Sequence, residues 1–235
     1  MLPLKDNVPT RSFPVVTVGL IAINVAVFLW EIAGTPLDAD VIHYGYYPCD
    51  VQGPCVGLAR QHDLGLVPSV FTSMFMHGGW LHIGGNMLFL WIFGNNVEDA
   101  LGRFRFLLWY LVCGIAATVA QTVVTLWFGS AQDASIPNVG ASGAIAGVLG
   151  AYLLLLPSAS VLTAIFLGFF FFIQEIPAVF YLGIWFLFQL WQGGFSVVQP
   201  ESGGGVAFFA HVGGFAFGAL TVKLVQQRQP LRPRY

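Results

Sequence analysis

Six stretches of this chain are too apolar and too long to be hidden inside a water-soluble domain of its size. Residues 13–33 qualify cleanly; 80–97 and 106–128 qualify with polar interruptions; 141–157 is short but almost purely apolar; 176–191 and 206–225 complete the set. A helix needs roughly 20 mainly apolar residues to cross the hydrocarbon core of a bilayer. The composition agrees, with 57% of the 235 residues hydrophobic and 9% charged, against roughly 25% charged in soluble domains. The sequence therefore predicts an all-α membrane protein of six transmembrane helices, one domain over residues 1–235, with the lipid bilayer as its surroundings. The first run lacks a small-x-small cleavage site and reads as an anchor rather than a signal peptide. A seventh apolar run, 161–173, is too short to span. It is expected to be an interfacial segment, or an extension of the fifth span bent at Pro177.

Charge sets the expected orientation, because cytoplasmic loops carry the excess of Lys and Arg. Six spans put both termini on one side. That side holds Lys5, Arg11, Arg103, Arg105, Lys223, Arg228, Arg232 and Arg234, with a tail at about 226–235. The other side holds only Arg60, against Asp38, Asp40, Asp50, Asp63, Asp133 and Glu201. Both termini are thus predicted to be cytoplasmic, in a plasma (cell inner) membrane. The long mixed loop at about 34–73 is predicted to be extracytoplasmic. The net charge of -2 and the absence of a basic cluster give no reason to expect nucleic acid as a partner.

Polar groups inside spans are costly, so each is a functional candidate. Three places hold them. Ser142, in Gly140-Ala141-Ser142-Gly143, begins the fourth apolar run at its outer end, where free backbone N–H groups and the helix dipole favour negative charge. That suits a nucleophile whose attack creates an oxyanion. The alternative is an N-cap serine ahead of a packing face made by Gly143, Gly147 and Gly150. His211, in Ala210-His211-x2-Gly214, lies at similar depth on the sixth run. Gly214 and Gly218 share one helical face there. If the two glycine faces pack together, His211 arrives beside Ser142 as a general base. The third place is 76–86, where His82 and Asn86 are four residues apart on one face near the outer end of the second run. Both can donate hydrogen bonds to an oxyanion, or they form a polar packing network. His77 is expected to support the turn. His77, His82 and His211 could ligate a metal, but there is no HExxH and the carboxylates mostly sit in loops, so neither a metal nor another cofactor is expected.

The ordered set His77-x4-His82-x3-Asn86, Gly140-x-Ser142-Gly143 and Ala210-His211-x2-Gly214 resembles the rhomboid family of intramembrane serine proteases. The stretch VEDALG at 97–102 looks like that family's turn after the second span. The resemblance implies a six-helix core with a water-filled cavity open to the outer face. It also implies a Ser142/His211 dyad, an oxyanion site from His82, Asn86 and the Ser142 backbone N–H, and transmembrane protein substrates. The chain departs from some members in having Ala146 where an aromatic one turn after the serine would stack on the base. It also lacks a Trp-Arg pair in the first loop, and the link between spans four and five is long and apolar. Two other functions compete: a non-proteolytic relative acting as membrane chaperone or adaptor, and a small transporter. Relatives of the first kind typically lack the Ser or the His. The crowding of polar residues towards the outer half argues against a path through the bilayer. The glycines at 203–205, in the link between spans five and six, are expected to act as a mobile cap.

Cys49 and Cys55 lie in the first loop with Gly53-Pro54 between them, so on the oxidising side they can close a disulfide. His43 and His62 flank the pair, which leaves zinc as the other reading. Cys113, inside the third run, is expected to be a packing residue. Intact-mass analysis under thiol-blocking conditions is expected to find Cys113 as the one blockable thiol after unfolding. Two further free thiols would refute the bridge.

Overall fold

The computed structural model describes residues 1–34, 37–168, 170–198 and 207–233. In chain order the elements are β1 (Leu2–Asp6), α1 (Val15–Gly34), α2 (Leu37–Tyr44), α3 (Leu66–Thr72), α4 (Trp80–Phe89), α5 (Asn95–Leu101), α6 (Arg103–Phe128), α7 (Ala131–Ala134), α8 (Ser142–Leu155), β2 (Ser160–Leu167), β3 (Phe170–Pro177), α9 (Ala178–Val198) and α10 (Phe208–Val225). Among the described residues, four helical stretches are long and apolar enough to cross a membrane: Val15–Gly34, Arg103–Phe128, Ala178–Ser196 and Phe208–Val225. Helix α8 is apolar but shorter. The predicted second span is a composite, in which α4 and α5 are joined by a π-helical turn at Leu90–Gly94. The molecule is a multi-pass membrane protein, and its surface shows it. Leu81, Leu220, Leu224, Trp127 and Phe180 are exposed, while Thr17, Asn24, Glu31 and His77 are fully buried. That is the reverse of the usual soluble distribution.

Helix α1 shows how the polar groups are placed. Its buried positions are Thr17, Leu20, Asn24, Phe28 and Glu31, spaced three and four apart, so one stripe faces inward. Its free N-terminal N–H groups are met from outside the helix. The Glu98 carboxylate accepts from Val16 N at 3.1 Å, Thr17 N at 2.7 Å and Thr17 Oγ1 at 2.8 Å. Next to it, Asp99 pairs with Arg11 at 2.7 Å. The VEDALG stretch thus anchors the start of the first long helix.

Helices α8 and α10 are in backbone contact. A Cβ added to Gly214 would lie 2.1 Å from the Gly143 carbonyl oxygen, and one on Gly218 would lie 2.0 Å from that of Gly147. A Cβ on Gly150 would lie 2.1 Å from the Phe215 carbonyl oxygen. Only glycine permits this approach. On its other side α8 meets α6, where Ala117 packs on Gly143 and the buried Cys113 on Gly147.

The chain is not all-α. The 161–173 run is not a helical extension of the fifth span. It forms most of an antiparallel hairpin, β2 with β3, registered from Ser160↔Pro177 to Leu167↔Phe170. Strand β1 adds to the far side of β2, from Leu2↔Ala164 to Asp6↔Val161. Pro177 does not bend a helix; it closes β3, an edge strand where a missing N–H is tolerated. A short apolar run rich in aromatic and β-branched residues fits strand as well as helix. Its first partner strand lies at the opposite end of the sequence. The sheet is tied to the helices through Asp6, whose carboxylate accepts from Tyr152 Oη and Asn96 Nδ2. At the same end, Gln227 N and Arg228 N both donate to the Ala100 carbonyl at 2.9 Å.

Gly218→Ala is expected to force α10 away from α8 and to lower the Tm of the purified protein, at a cost of about 1–3 kcal/mol or more, as overpacked cores show. Gly183→Ala, where an added Cβ meets nothing within 4 Å, serves as the control and should leave the Tm unchanged or slightly raised.

Candidate active site

Helix α8 is preceded by Ala141 as its N-cap, with no side-chain cap hydrogen bond. Ser142 is the first helical residue, so its hydroxyl is not spent on capping. Instead Ser142 Oγ lies 2.8 Å from His211 Nε2, within hydrogen-bond distance. The segment leading into Ser142 is held by the first loop. Asn138 N donates to Tyr46 O at 2.7 Å, Tyr46 N to Asn138 O at 3.2 Å, and Gly140 N to Ser73 O at 2.8 Å. Val56 N also donates to Ser135 Oγ at 2.9 Å. The long loop is thus a brace for the turn that carries the serine.

His211 comes from the first turns of α10, brought to Ser142 by the Gly143–Gly214 contact. Its Nδ1 donates to Gln189 Oε1 of α9 at 2.7 Å. The Trp185 ring, one helical turn before Gln189, lies 5.9 Å from the His211 ring.

His82 and Asn86 line the same cavity as Ser142 and His211, about 460 Å³ in volume, walled further by Phe89, Trp185 and Gln189. Both crowd against Gly140. A Cβ there would lie 2.6 Å from His82 Nε2 and 3.6 Å from Asn86 Nδ2, and Gly140 has φ +118. The position therefore needs glycine for both space and backbone conformation. Among the described residues, buried Asn86 Nδ2 has no hydrogen-bond partner, and it lies beside the turn that carries Ser142. The first N–H groups of α8 have no acceptor within the helix. His77 is fully buried and its ring packs edge-on against His82, centroids 5.0 Å apart. Its Nδ1 is 3.1 Å from Phe75 O, and its backbone N donates to the Glu31 carboxylate at 3.3 Å.

The family model described as Rhomboid domain matches residues 66–228, more than half of the chain, and takes in His77, His82, Asn86, Ser142, Trp185, Gln189 and His211. The chain belongs to the rhomboid family. It is 31% identical over 159 residues to Rhomboid protein 1, mitochondrial, of Saccharomyces cerevisiae, covering 65% of this chain and 40% of that protein. It is 29% identical over 144 residues to the rhomboid protease AarA of Providencia stuartii, covering 57% of this chain and 48% of the relative. Over 84 residues it is 40% identical to the rhomboid protease GluP of Bacillus subtilis, covering 36% of this chain and 15% of the relative. This rhomboid chain thus spans less than half the length of each of these relatives.

The structure brings together Ser142, His211, His82, Asn86, Gly140, Gly143 and Gly214, and sets His77 directly behind His82. Three contributors to the rhomboid site escape sequence reasoning: Gln189, Trp185 and Glu31. Glu31, a lone carboxylate in an apolar run, carried a signal. Gln189 carried a weaker one, as a single amide among aromatics. Cys49 and Cys55 are bonded, with S–S 1.95 Å, so neither sulfur is left as a thiolate for zinc. The flanking histidines pair with carboxylates instead, His62 with Asp50 at 3.0 Å and His43 with Asp63 at 3.1 Å. The expected cap, with its glycines at 203–205, lies outside the described residues.

Burial, reinforced by the neighbouring His82, pushes the His77 imidazole down to about 4. Between about 4 and the ordinary histidine value near 6.5, the unfolded chain binds a proton that the folded one does not. Stability is therefore full above about 6.5 and falls as pH drops towards 4. The Tm-against-pH curve should decline over that window, and His77→Gln should flatten it.

Proposed function

We propose that the protein is an intramembrane serine endopeptidase that cleaves transmembrane segments of membrane proteins near the extracytoplasmic face. The observation that carries this reading is the 2.8 Å contact between Ser142 Oγ and His211 Nε2 at the edge of a cavity lined also by Asn86, whose Nδ2 has no hydrogen-bond partner among the described residues. His211 Nε2 takes the Ser142 proton as Oγ attacks the scissile carbonyl. The oxyanion is held by Asn86 Nδ2, His82 and the Ser142 backbone N–H. His211 then protonates the leaving amine, and water resolves the acyl-enzyme by the same route in reverse.

The reading includes a single domain over 1–235 and six spans, with α8 and the α4–α5 composite added to the four long helices, and with both termini cytoplasmic in a plasma (inner) membrane. The distribution of Lys and Arg supports that orientation. An intact helix hides its backbone in hydrogen bonds, so favoured substrates are transmembrane proteins with Gly, Pro or polar residues near the outer end of the span and a small residue before the cut. AarA and GluP, which are named as proteases, support the class of activity.

The test is labelling by a fluorophosphonate, joined to cleavage of model transmembrane substrates with cut sites mapped by mass spectrometry. Ser142→Ala and His211→Ala should each abolish turnover in folded protein, and Ser142→Ala should abolish labelling. Asn86→Ala should lower kcat by about 10²–10³-fold, the usual loss for one oxyanion donor, with a smaller change in KM. Turnover near wild type in either dyad variant would overturn the reading.

A further inference from the structure

We propose that Gln189 is a positioning residue for the general base: its side-chain oxygen fixes the proton of His211 on Nδ1 and so leaves Nε2 free to accept from Ser142. This rests on the serine-protease reading above. A neutral imidazole carries one proton on two nitrogens, and the partner of each nitrogen decides which one holds it. In the structure His211 has Ser142 Oγ at 2.8 Å on Nε2 and Gln189 Oε1 at 2.7 Å on Nδ1. The amide oxygen can only accept, so Nδ1 must donate, and Nε2 keeps the lone pair that a base needs. Turned over, the amide would donate its NH2 to Nδ1 and move the ring proton to Nε2, which would then donate to Ser142 Oγ. The orientation in the structure is the one that leaves Nε2 as acceptor, the tautomer attack requires.

The geometry also accounts for Ala146. At that position on α8 the chain has a methyl group, too small to hold an imidazole ring. The orienting groups come instead from α9: Trp185 flanks the ring at 5.9 Å, and Gln189, four residues later and thus on the same face, holds Nδ1. Gln189 is itself buried, so its own position is fixed. An amide here, rather than a carboxylate, carries no charge that would have to be buried. Its consequence is a third member that sets the tautomer but does not neutralise the imidazolium formed during attack. Among the described residues, the titratable group facing His211 is His82 from α4. Helix α8 presents the Ser142 hydroxyl, while α9 presents neutral Gln189 and Trp185 and α6 presents neutral Gln121, which binds the backbone N of Phe209 and Ala210.

The experiment uses the full chain in detergent micelles or bicelles. Gln189→Leu, of similar size, removes the acceptor. It should lower kcat by about 10–100-fold with KM within about twofold, a smaller loss than the roughly 10⁴ seen when a charged triad member is neutralised. Gln189→Glu restores an acceptor and adds a negative charge. It should recover kcat above the Leu variant and move the acid limb of kcat/KM to higher pH, a shift that a merely structural role would not produce. Independently of turnover, ¹⁵N-histidine spectra, with His211 assigned by difference from His211→Ala, should show the proton on Nδ1 in the wild type and a changed Nδ1/Nε2 ratio in Gln189→Leu. A wild-type His211 protonated on Nε2, or a folded Gln189→Leu protein with kcat within twofold of wild type, overturns the proposal. A wild type that neither labels nor cleaves would defeat the protease reading instead, and the tautomer spectra would still judge the Gln189 contact.

Discussion

The structure depends on one contact above others: the backbone-to-backbone approach of α8 and α10. Gly143, Gly147 and Gly150 on one helix meet Gly214, Phe215 and Gly218 on the other at distances that leave no room for a Cβ. In lipid there is little hydrophobic gain from pressing two apolar helices together, so association relies on close packing and on polar contacts at short range. Small residues provide the first. The second follows, because the register that interlocks the glycines also sets Ser142 and His211 side by side. Cys113 and Ala117 of α6 fill the other flank of α8, so the serine-bearing helix is clasped from two sides.

The rest of the molecule supplies what such a pair needs at its two ends. At the Ser142 end, the disulfide-closed first loop pairs with Asn138 and braces the turn, while buried Glu31 and His77 stand behind His82, which lines the cavity. At the other end, Glu98 caps α1, Asp99 holds Arg11, and Asp6 ties the sheet to Tyr152 and Asn96. Glu98, Asp99 and Asp6 each meet more than one donor, the condition under which a charge is tolerable away from water.

Much of this was legible in the residues. Long apolar runs mark helices because the bilayer imposes their length, and polar residues within those runs mark the site because burying them is costly without a role. The sheet was not legible. A strand of apolar residues has no period that distinguishes it from a short helix, and its partner Leu2–Asp6 is separated from it by almost the whole of the helical core. Gln189 and Trp185 were not legible for a related reason. On α9 they are single residues in an aromatic-rich run, and nothing local says which side of the helix faces His211.

The sequence by itself determined that the chain is a multi-pass membrane protein, which serine and which histidine are the candidates to test, and which glycines would let their helices meet. Those follow from composition, spacing and helical geometry, which are local properties. The tertiary structure alone decided that Ser142 begins α8 with its hydroxyl on His211 rather than capping the helix, that α9 rather than α8 presents the groups beside the imidazole, and that the run at 161–173 folds into the β2–β3 hairpin. Each of those is set by contacts between residues far apart in the chain, and the free energy of such a contact depends on the partner's position in space, which no local pattern encodes.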